Sequence, residues 1–372
     1  MKSEKISEFL QTRIDAKDFP SAVYLVAEKG EVVFTDALGF AVVEPERIAA
    51  NLETIYDLAS LTKALVTGLL CAKLIEREEL SLSDKTYKYS EFFYTKDKQE
   101  ITTQNLLSHS SGFEAWKPLY LITNSNDSYL FNIIAEFPNE CSVNSKVVYS
   151  DLNYITFGLI LERIYEKSLG EIARTEIFEP LNLKNTSYNP PSELQKRIAA
   201  SEMGNEFEKQ TCLEQGYEIR NHQSAFRTRM IWGEVHDGNA YFMKGVSGHA
   251  GLFSTAFETF KIAQQFLANQ TTLLKPETCK LFRTNFTPNL NEARSIGFQL
   301  AETKDSTASS ALSKDSFGHL GFTGTSLWIE PESERIFILL TNRTHARELP
   351  FANINATRRR FHELAAAMLN ER

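Results

Sequence analysis

The sequence has little of what marks several common protein classes. Its 372 residues include only four cysteines, which lie far apart and form no C-x-x-C pair, so neither a disulfide framework nor a cysteine zinc site is indicated. The net charge is −8 rather than positive, which argues against a general nucleic-acid binder. No apolar run is long enough to span a bilayer. The hydrophobic share of 42% instead indicates a globular chain with a substantial core.

Other signals are missing too. The G-x-S-x-G elbow of α/β-hydrolases is absent, and so is the H-E-x-x-H pattern of zinc hydrolases. We therefore expect neither an α/β-hydrolase nor a zinc hydrolase. We also expect no metal and no cofactor. The first residues run into an amphipathic stretch around Ile6 and Leu10 without the apolar segment of a secretion signal. We therefore expect a cytoplasmic protein, or a periplasmic one if a leader has been removed.

What is present predicts strands at both ends and helices between them. Residues 21–36 and 326–341 each predict a hairpin. Helices are expected over 4–17 and 352–370 at the ends and, between the hairpins, over 61–78, 103–108, 127–136, 152–168, 171–177 and 256–268.

This order predicts an α/β (α+β) fold. An antiparallel sheet would form from N- and C-terminal strands, flanked by helices, with a large and mainly helical subdomain inserted. We expect a single domain over 1–372, with an α/β part at about 1–60 plus 290–372 and a helical part at about 61–289. The polar segment 302–315 predicts a surface loop, and Arg358-Arg359-Arg360 predicts a solvated helix face.

The first chemical motif is Ser60-Leu61-Thr62-Lys63, at the start of an apolar helical run. Three residues are almost one helical turn, so the hydroxyl and the amine would share a face. The helix start adds free N–H groups and a partial positive charge. The alternative is an N-capping Ser60 with a solvated Lys63. As a base, Lys63 would need a pKa lowered by burial or by a nearby cation.

Two further motifs follow. Tyr149 precedes a helix within Val147-Val148-Tyr149-Ser150-Asp151, where it could share a proton with a lysine or simply pack at the helix start. Phe317-Gly318-His319-Leu320-Gly321-Phe322-Thr323 leads into a strand, where glycines allow a close backbone approach. His319 could donate a hydrogen bond or carry charge near neutral pH. The alternative is a glycine-rich bulge with a surface histidine.

In this order the motifs resemble the serine β-lactamase and penicillin-binding-protein superfamily, especially its class C, D-Ala-D-Ala carboxypeptidase and esterase branch. Ser60 and Lys63 match Ser-x-x-Lys, Tyr149 and Asp151 match a variant of Tyr-x-Asn, and His319 and Gly321 match Lys/His-x-Gly. Residues 106–113 and 248–255 are also similar to family segments. The resemblance covers roughly residues 5–370.

The resemblance implies acyl transfer to Ser60, with Lys63 and Tyr149 moving protons and no cofactor. The oxyanion would be held by the N–H groups of Ser60 and Phe322, on a helix start and an edge strand. Substrate contacts are expected from Asp151, His319, Gly321 and Thr323. His109 and His249 are expected to be structural.

Two departures bear on the substrate. Asp151 stands where the family often has asparagine, and His319 where dedicated β-lactamases have lysine. Both favour a peptidase, an amidase or an esterase over a specialised β-lactamase. The segment 232–241 looks like the subgroup of the family associated with cell-wall peptide processing, so we expect cell-wall-derived peptides, cleaved by a carboxypeptidase or an amidase. A small-ester hydrolase or a weak β-lactamase remains an alternative, and a non-catalytic binding or regulatory module is another. We expect a small-molecule or peptide substrate and no nucleic acid; the oligomeric state stays open.

Overall fold

The computed structural model describes residues 1–127, 129–219 and 222–372. The strands in these residues are β1 (Ser21–Glu28), β2 (Glu31–Val42), β3 (Ile48–Ala49), β4 (Tyr56–Asp57), β5 (Ser187–Tyr188), β6 (Leu252–Ser254), β7 (Gln299–Leu300), β8 (Phe317–Leu320), β9 (Ser326–Glu330) and β10 (Arg335–Thr341). A seven-stranded antiparallel sheet has the order β3-β2-β1-β10-β9-β8-β7, and a smaller sheet has the order β4-β6-β5. The large sheet thus joins strands from both ends of the chain, as the sequence predicts.

Helices cover this sheet and fill the middle of the chain. The α-helices in the described residues are α1 (Glu4–Asp15), α2 (Leu69–Glu76), α3 (Thr103–Leu107), α4 (Leu119–Ile122), α5 (Leu130–Glu136), α6 (Asp151–Tyr165), α7 (Leu169–Ala173), α8 (Glu206–Glu214), α9 (Gly238–Phe242), α10 (Ala256–Ala263) and α11 (Asn355–Asn370). Two stretches are π-helical, Lys63–Gly68 and Arg174–Phe178, and short 3₁₀ turns occur at Thr86–Lys88, Glu91–Phe93, Ser192–Arg197, Gln223–Ala225, Gln264–Phe266 and Thr278–Phe282.

The central strands are buried on both faces. In β1, Tyr24 and Val26 pack in the cluster that includes side chains of α1 and α11, while Val23 and Leu25 pack in the larger cluster with the helical middle. Successive strand side chains point to opposite faces, so a strand covered on both sides reads as one continuous apolar run.

The predicted surface loop at 302–315 is only partly exposed. Ala308 and Leu312 belong to the apolar cluster beneath α11, and the Thr307 hydroxyl accepts a hydrogen bond from Trp328 Nε1 at 3.0 Å. The sequence did not predict this packing, because the segment is mostly polar and the two apolar residues that anchor it are isolated in the sequence.

The predicted solvated face at Arg358-Arg359-Arg360 is wrong for its first residue. Arg358 is buried, and its Nη2 donates to the carbonyls of Gly321 and Thr325 at 2.7 and 2.9 Å. Arg360 does lie at the surface, with Glu363 as its partner. One helix therefore presents neighbouring arginines to quite different surroundings.

Among the residues that the structure describes, no helix is both long enough and apolar enough to cross a membrane.

Candidate active site

Ser60 lies on a tightly held turn between β4 and the helical stretch that begins at residue 61. Asp57 fixes this turn, since its Oδ1 accepts the Ala59 N–H and its Oδ2 accepts the His236 N–H, both at 2.8 Å. Ala59 has a φ of 47°, in the left-handed region that residues with a side chain seldom adopt. Such strain persists where the surroundings enforce it, which is frequent at functional sites.

Lys63 is fully buried beneath Ser60. Its Nζ donates to Ser60 Oγ at 2.9 Å and to the His249 carbonyl at 3.1 Å, and it lies 2.7 Å from Asp151 Oδ1. The alternative of a solvated lysine beside a capping serine is therefore excluded by the geometry. The two side chains share one face, as their spacing predicts.

The surroundings keep Lys63 charged. Burial alone lowers the pKa of Lys63, but the negative charge of Asp151 and the nearby Tyr149 outweigh it, so the pKa lies above its ordinary value. Lys63 would need a lowered pKa to be a neutral base in the resting protein, and its pKa is raised instead. Lys63 is instead a fixed ammonium that points a hydrogen bond at the serine oxygen.

Tyr149 lies beside this ammonium, just before α6. Its ring centroid is 5.0 Å from Lys63 Nζ and 5.3 Å from Arg294 Cζ. The rings of His109 and His319 lie 4.5 and 5.8 Å from it. His109 is buried and accepts the Ser150 N–H at Nδ1, so it positions the turn that carries Tyr149.

His319 is buried and neutral rather than charged. Burial and the charges of Lys63 and Arg294 hold the pKa of His319 well below its usual range. Nδ1 donates to the Leu320 carbonyl at 2.9 Å, and Nε2 has no hydrogen-bond partner among the described residues. Nε2 is itself buried, so a hydrogen bond from a ligand to this imidazole would require its surroundings to shift, and the charged form that the sequence allowed is disfavoured.

Asp237 and His249 complete the polar surroundings of Lys63. His249 Nε2 donates to Asp237 Oδ1 at 2.9 Å. Burial would raise the pKa of Asp237, but His249 outweighs that effect and lowers the pKa below its usual range. Ligand atoms of Asp151, Asp237 and His249 lie within 4.8 Å of one another, as in a cation site. The Lys63 ammonium supplies positive charge at this place.

The turn from Gly321 to Thr325 is held against the segment that leads to Ser60. Thr323 Oγ1 donates to the Asp57 carbonyl at 2.7 Å, and Thr325 Oγ1 donates to the Leu58 carbonyl at 3.0 Å. A Cβ at Gly321 would lie 2.6 Å from the Leu58 carbonyl oxygen, closer than real Cβ atoms come. The buried Thr323 hydroxyl thus has a positioning role here, rather than the substrate contact expected from the sequence.

Both expected oxyanion donors border the same cavity. Ser60 and Phe322 line it, and among the described residues neither backbone N–H donates to another group. An edge-strand position was expected for Phe322, but Phe322 lies in the turn after β8. Nor is β8 the outermost strand, since β7 pairs with its first two residues, Phe317 and Gly318.

This cavity has a volume of about 690 Å³. It has a polar part around Tyr149 and an aromatic part around Phe322. Its lining includes the predicted residues Ser60, Tyr149, Asp151, His319, Gly321 and Phe322, and also Trp116, Phe207, Glu208, His236, Asp237, Arg294, Arg343, Phe351 and Arg358.

Sequence reasoning missed most of the second group for lack of a local signal. Arg294 lies outside every motif, and α8, which carries Phe207 and Glu208, was not predicted as a helix at all. Asp237 and His249 lie only 12 residues apart, but the sequence motifs predicted a structural role for His249 and assigned none to Asp237.

Comparisons with known proteins agree over nearly the whole chain. The family model described as "Beta-lactamase" matches residues 6–359. A protein of Escherichia coli strain K12 named "Putative D-alanyl-D-alanine carboxypeptidase" is 28% identical over 368 residues, which cover 92% of this chain and 82% of that protein. A protein of the same name from Salmonella enteritidis PT4 is 30% identical over 382 residues, covering 95% and 84%.

Solved structures show the same fold at low identity. The octameric penicillin-binding protein homologue of Pyrococcus abyssi has a TM-score of 0.74 at 19% identity, covering 100% of this chain and 78% of its own. A penicillin-binding protein homolog of Caulobacter crescentus has a TM-score of 0.73 at 17% identity, with 99% and 98% covered. EstCE1, a hydrolase with promiscuous acyltransferase activity, has a TM-score of 0.70 at 18% identity, with 97% and 98% covered. The predicted fold class is confirmed.

Proposed function

This chain belongs to the β-lactamase family, and we propose that it is a serine hydrolase that acts through an acyl-enzyme on cell-wall-derived peptides. The resemblance drawn from the sequence motifs is thus confirmed, while the activity and the residue roles are our proposal. We extend the proposal to the organisation of the chain as a single β-lactamase-like domain over 1–372.

One observation carries the proposal. A fully buried ammonium, Lys63, lies 2.9 Å from the oxygen of Ser60, and that serine lines a cavity together with Tyr149. A lysine is buried at a cost in desolvation unless its charge is compensated, and three polar groups compensate it here. A binding module would have no need of this arrangement, whereas acylation of a serine needs it.

In the acylation step, Ser60 Oγ attacks the substrate carbonyl and forms the bond to carbon. Its proton passes to the Tyr149 oxygen, because Lys63 already carries its own full set of protons. Tyr149 accepts this proton as the phenolate, and the neighbouring Lys63 and Arg294 compensate its negative charge until the proton arrives. The carbonyl oxygen becomes an oxyanion that receives hydrogen bonds from the N–H groups of Ser60 and Phe322.

The intermediate then collapses to the acyl-enzyme. The bond to the leaving group breaks, and Tyr149 returns the proton to the leaving nitrogen or oxygen. In deacylation, water gives a proton to Tyr149 while it attacks the ester of Ser60, and the proton returns to Ser60 when the acid leaves. Asp151 and His249 hold the Lys63 ammonium in place throughout.

Two features support a peptide with a free carboxylate as substrate. The relatives named above carry the name of D-alanyl-D-alanine carboxypeptidases. On the Tyr149 side of the cavity, Arg294 is a fixed cation whose Nε and Nη2 donate to Glu292, at 3.0 and 2.6 Å. Since His319 is neutral, Arg294 is our candidate for binding the carboxylate of the leaving amino acid. A cytoplasmic location would favour imported wall fragments over intact peptidoglycan.

A second candidate is hydrolysis of small esters. It is favoured by the aromatic part of the cavity, which suits an apolar acyl group. A β-lactam presents a carbonyl to the same residues, so weak β-lactamase activity belongs to this alternative.

The first experiment tests acylation. The purified protein is treated with a fluorescent β-lactam or phosphonate, and the labelled peptide is identified by mass. We expect the label on Ser60 in wild type and in the exposed-serine control Ser192→Ala, and none in Ser60→Ala. Hydrolysis that persists in Ser60→Ala, without any adduct in wild type, would exclude the serine mechanism.

The second experiment identifies the substrate class. A muropeptide mixture is incubated with wild type and with Ser60→Ala, and the products are weighed by mass spectrometry. Loss of one terminal alanine in wild type alone supports the carboxypeptidase, and release of free peptide from the sugar supports the amidase. If neither product forms, the ester candidate takes its place.

A further inference from the structure

We propose that Phe207, Phe322 and Phe351 form an aromatic subsite that takes an apolar or aromatic group on the acyl side of the substrate. The inference rests on the proposed function, because a substrate has an acyl side only if Ser60 becomes acylated. It adds a specificity determinant to that function, and it concerns side chains that no sequence motif includes.

The three rings come from separate parts of the chain and meet at the cavity. Phe207 lies on α8, Phe322 in the turn after β8, and Phe351 in the segment before α11. Their centroids are 4.8 Å apart for Phe207 and Phe322, 5.6 Å for Phe207 and Phe351, and 6.1 Å for Phe322 and Phe351. All three line the cavity and are half-buried, so each leaves part of its ring available to a ligand.

The Phe322 ring also contacts two further side chains, His236 and Arg343. His236 stacks on Phe322 at 5.4 Å, and its Nε2 is 2.8 Å from Glu202 Oε2. Arg343 Cζ lies 4.8 Å from the ring of Phe322. Arg343 Nε also donates to the Phe322 carbonyl at 2.6 Å. A surface fixed in this way loses little conformational entropy when a ligand packs on it.

The position of Tyr149 assigns these rings to the acyl side. Tyr149 makes its ring contacts with His109 and His319, whereas Phe322 makes them with Phe207, Phe351 and His236, so the two groups line different parts of the cavity. The leaving group must meet Tyr149 to receive a proton. The remaining acyl part is then directed towards Phe322, whose N–H would hold the oxyanion.

The three phenylalanine rings favour an apolar group of the ligand. Aromatic side chains gain from burial of apolar area and from edge or offset contacts with another ring. The nearby guanidinium of Arg343 is engaged by backbone carbonyls of Phe322 and Ala352, at 2.6 and 2.7 Å. A phenyl or a branched aliphatic acyl group therefore fits against these three rings.

The test uses two esters with one leaving group, p-nitrophenyl acetate and p-nitrophenyl phenylacetate. They differ only by a phenyl ring on the acyl side, and each rate is divided by that of spontaneous hydrolysis. We expect wild type to favour the phenylacetate in kcat/KM by about tenfold. Phe207→Ala and Phe351→Ala should each lower this preference by about three- to tenfold.

The ratio of the two rates does not depend on how much of a variant is folded, since both esters are measured on one sample. Phe351→Leu, which keeps apolar volume, should lose less of the preference than Phe351→Ala. Phe257→Ala is the control, because Phe257 is 50% exposed on α10 and does not line the cavity. Its ratio should equal that of wild type.

The outcomes separate the subsite from the function on which it rests. If the preference is unchanged in both alanine variants while Ser60→Ala abolishes hydrolysis, the subsite is wrong and the serine mechanism stands. If hydrolysis of both esters survives in Ser60→Ala, the proposed function itself is wrong. A preference that falls with Phe207 and Phe351 and vanishes with Ser60 supports both.

Discussion

Lys63 determines how a proton can leave Ser60. Its ammonium is fully buried, and its contacts with Asp151 and the His249 carbonyl stabilise the charged form. A neutral lysine would be needed to accept the serine proton, and the raised pKa of Lys63 opposes that form. The proton acceptor in our mechanism is therefore the oxygen of Tyr149, while Lys63 orients the serine by a hydrogen bond.

The first prediction concerns Tyr149→Phe. This change removes only the phenol oxygen, so proton transfer is lost while the ring packing with His109 is kept. We expect kcat to fall by about 10²- to 10⁴-fold, with a much smaller change in KM. Steady-state kinetics on p-nitrophenyl acetate measures both constants. Tyr94→Phe, at a tyrosine that is 67% exposed, should match wild type; an equal kcat in Tyr149→Phe would contradict the assignment.

The second prediction concerns Arg294 and the leaving group. If its guanidinium binds the substrate carboxylate, Arg294→Ala should raise KM for a D-Ala-D-Ala peptide by about 10- to 100-fold, in line with the loss of a charge-assisted hydrogen bond. The same peptide with a C-terminal amide should show a much smaller change. Arg283→Ala, at an exposed arginine, serves as the control. Equal losses for the acid and the amide would exclude the carboxylate as the partner of Arg294.

At the scale of elements, the turn between β8 and β9 sets the distance between the two expected oxyanion donors. Thr323 and Thr325 tie this turn to the segment before Ser60, and Arg358 holds it from α11 through two backbone carbonyls. The turn is thus fixed by contacts with two distant parts of the chain. Such support matters because a displacement of about 1 Å can cost about 100-fold in rate.

The third prediction follows from this support. Arg358 donates to the two carbonyls through Nη2 and to Asn355 Oδ1 through Nη1. The single, differently placed nitrogen of lysine cannot reproduce this planar set, so Arg358→Lys should loosen the turn and misplace the Phe322 N–H. We expect kcat to fall by about tenfold or more, with KM for p-nitrophenyl acetate nearly unchanged. Arg360→Lys on the same helix is the matched control, because Arg360 pairs with Glu363 at the surface. Equal kcat values for the two variants would remove Arg358 from the positioning of the oxyanion donor.

Elements with strong periodic signals were predictable, and weak ones were not. The apolar run of β1 and the turn at Gly30 gave the first hairpin, and the amphipathic pattern gave α11. By contrast, α8 has only Phe207, Cys212 and Leu213 as apolar residues among nine, so its pattern is too sparse to predict a helix. It forms because Cys212 is fully buried and Glu208 accepts the Gly238 N–H at 2.7 Å. Tertiary contacts here outweigh local propensity.

At the scale of the whole molecule, the candidate site is assembled from segments that are far apart in sequence. Motif spacing could predict Ser60, Lys63, Tyr149 and His319, because each belongs to a short pattern. No such pattern marks Phe351 or Arg294, which reach the cavity only through the way the sheet and the helical middle pack together. The charge states were equally out of reach, since burial and neighbouring ions fix them.

The last prediction concerns the pH dependence of stability. Burial lowers the pKa of four histidines, His109, His319, His345 and His362, and for His362 to about 4. In the unfolded chain these residues have ordinary pKa values near 6.5. As pH falls from 7 towards 4, the unfolded state therefore binds protons that the folded state excludes, and the free energy of unfolding decreases. Above pH 7 the contribution of these buried, neutral histidines to the free energy of unfolding is fully present.

His362 allows the effect to be measured at one site. It lies on the buried face of α11, is fully buried, and its Nδ1 donates to the Thr307 carbonyl at 2.7 Å. His362→Gln removes the titrating group, so the loss of unfolding free energy between pH 7 and pH 5 should be smaller than in wild type by about 2 kcal/mol. Urea denaturation at each pH gives this difference even if the variant is less stable throughout. His222→Gln, at an exposed histidine, should keep the wild-type dependence. An unchanged slope in His362→Gln would show that its imidazole is not held neutral by the fold.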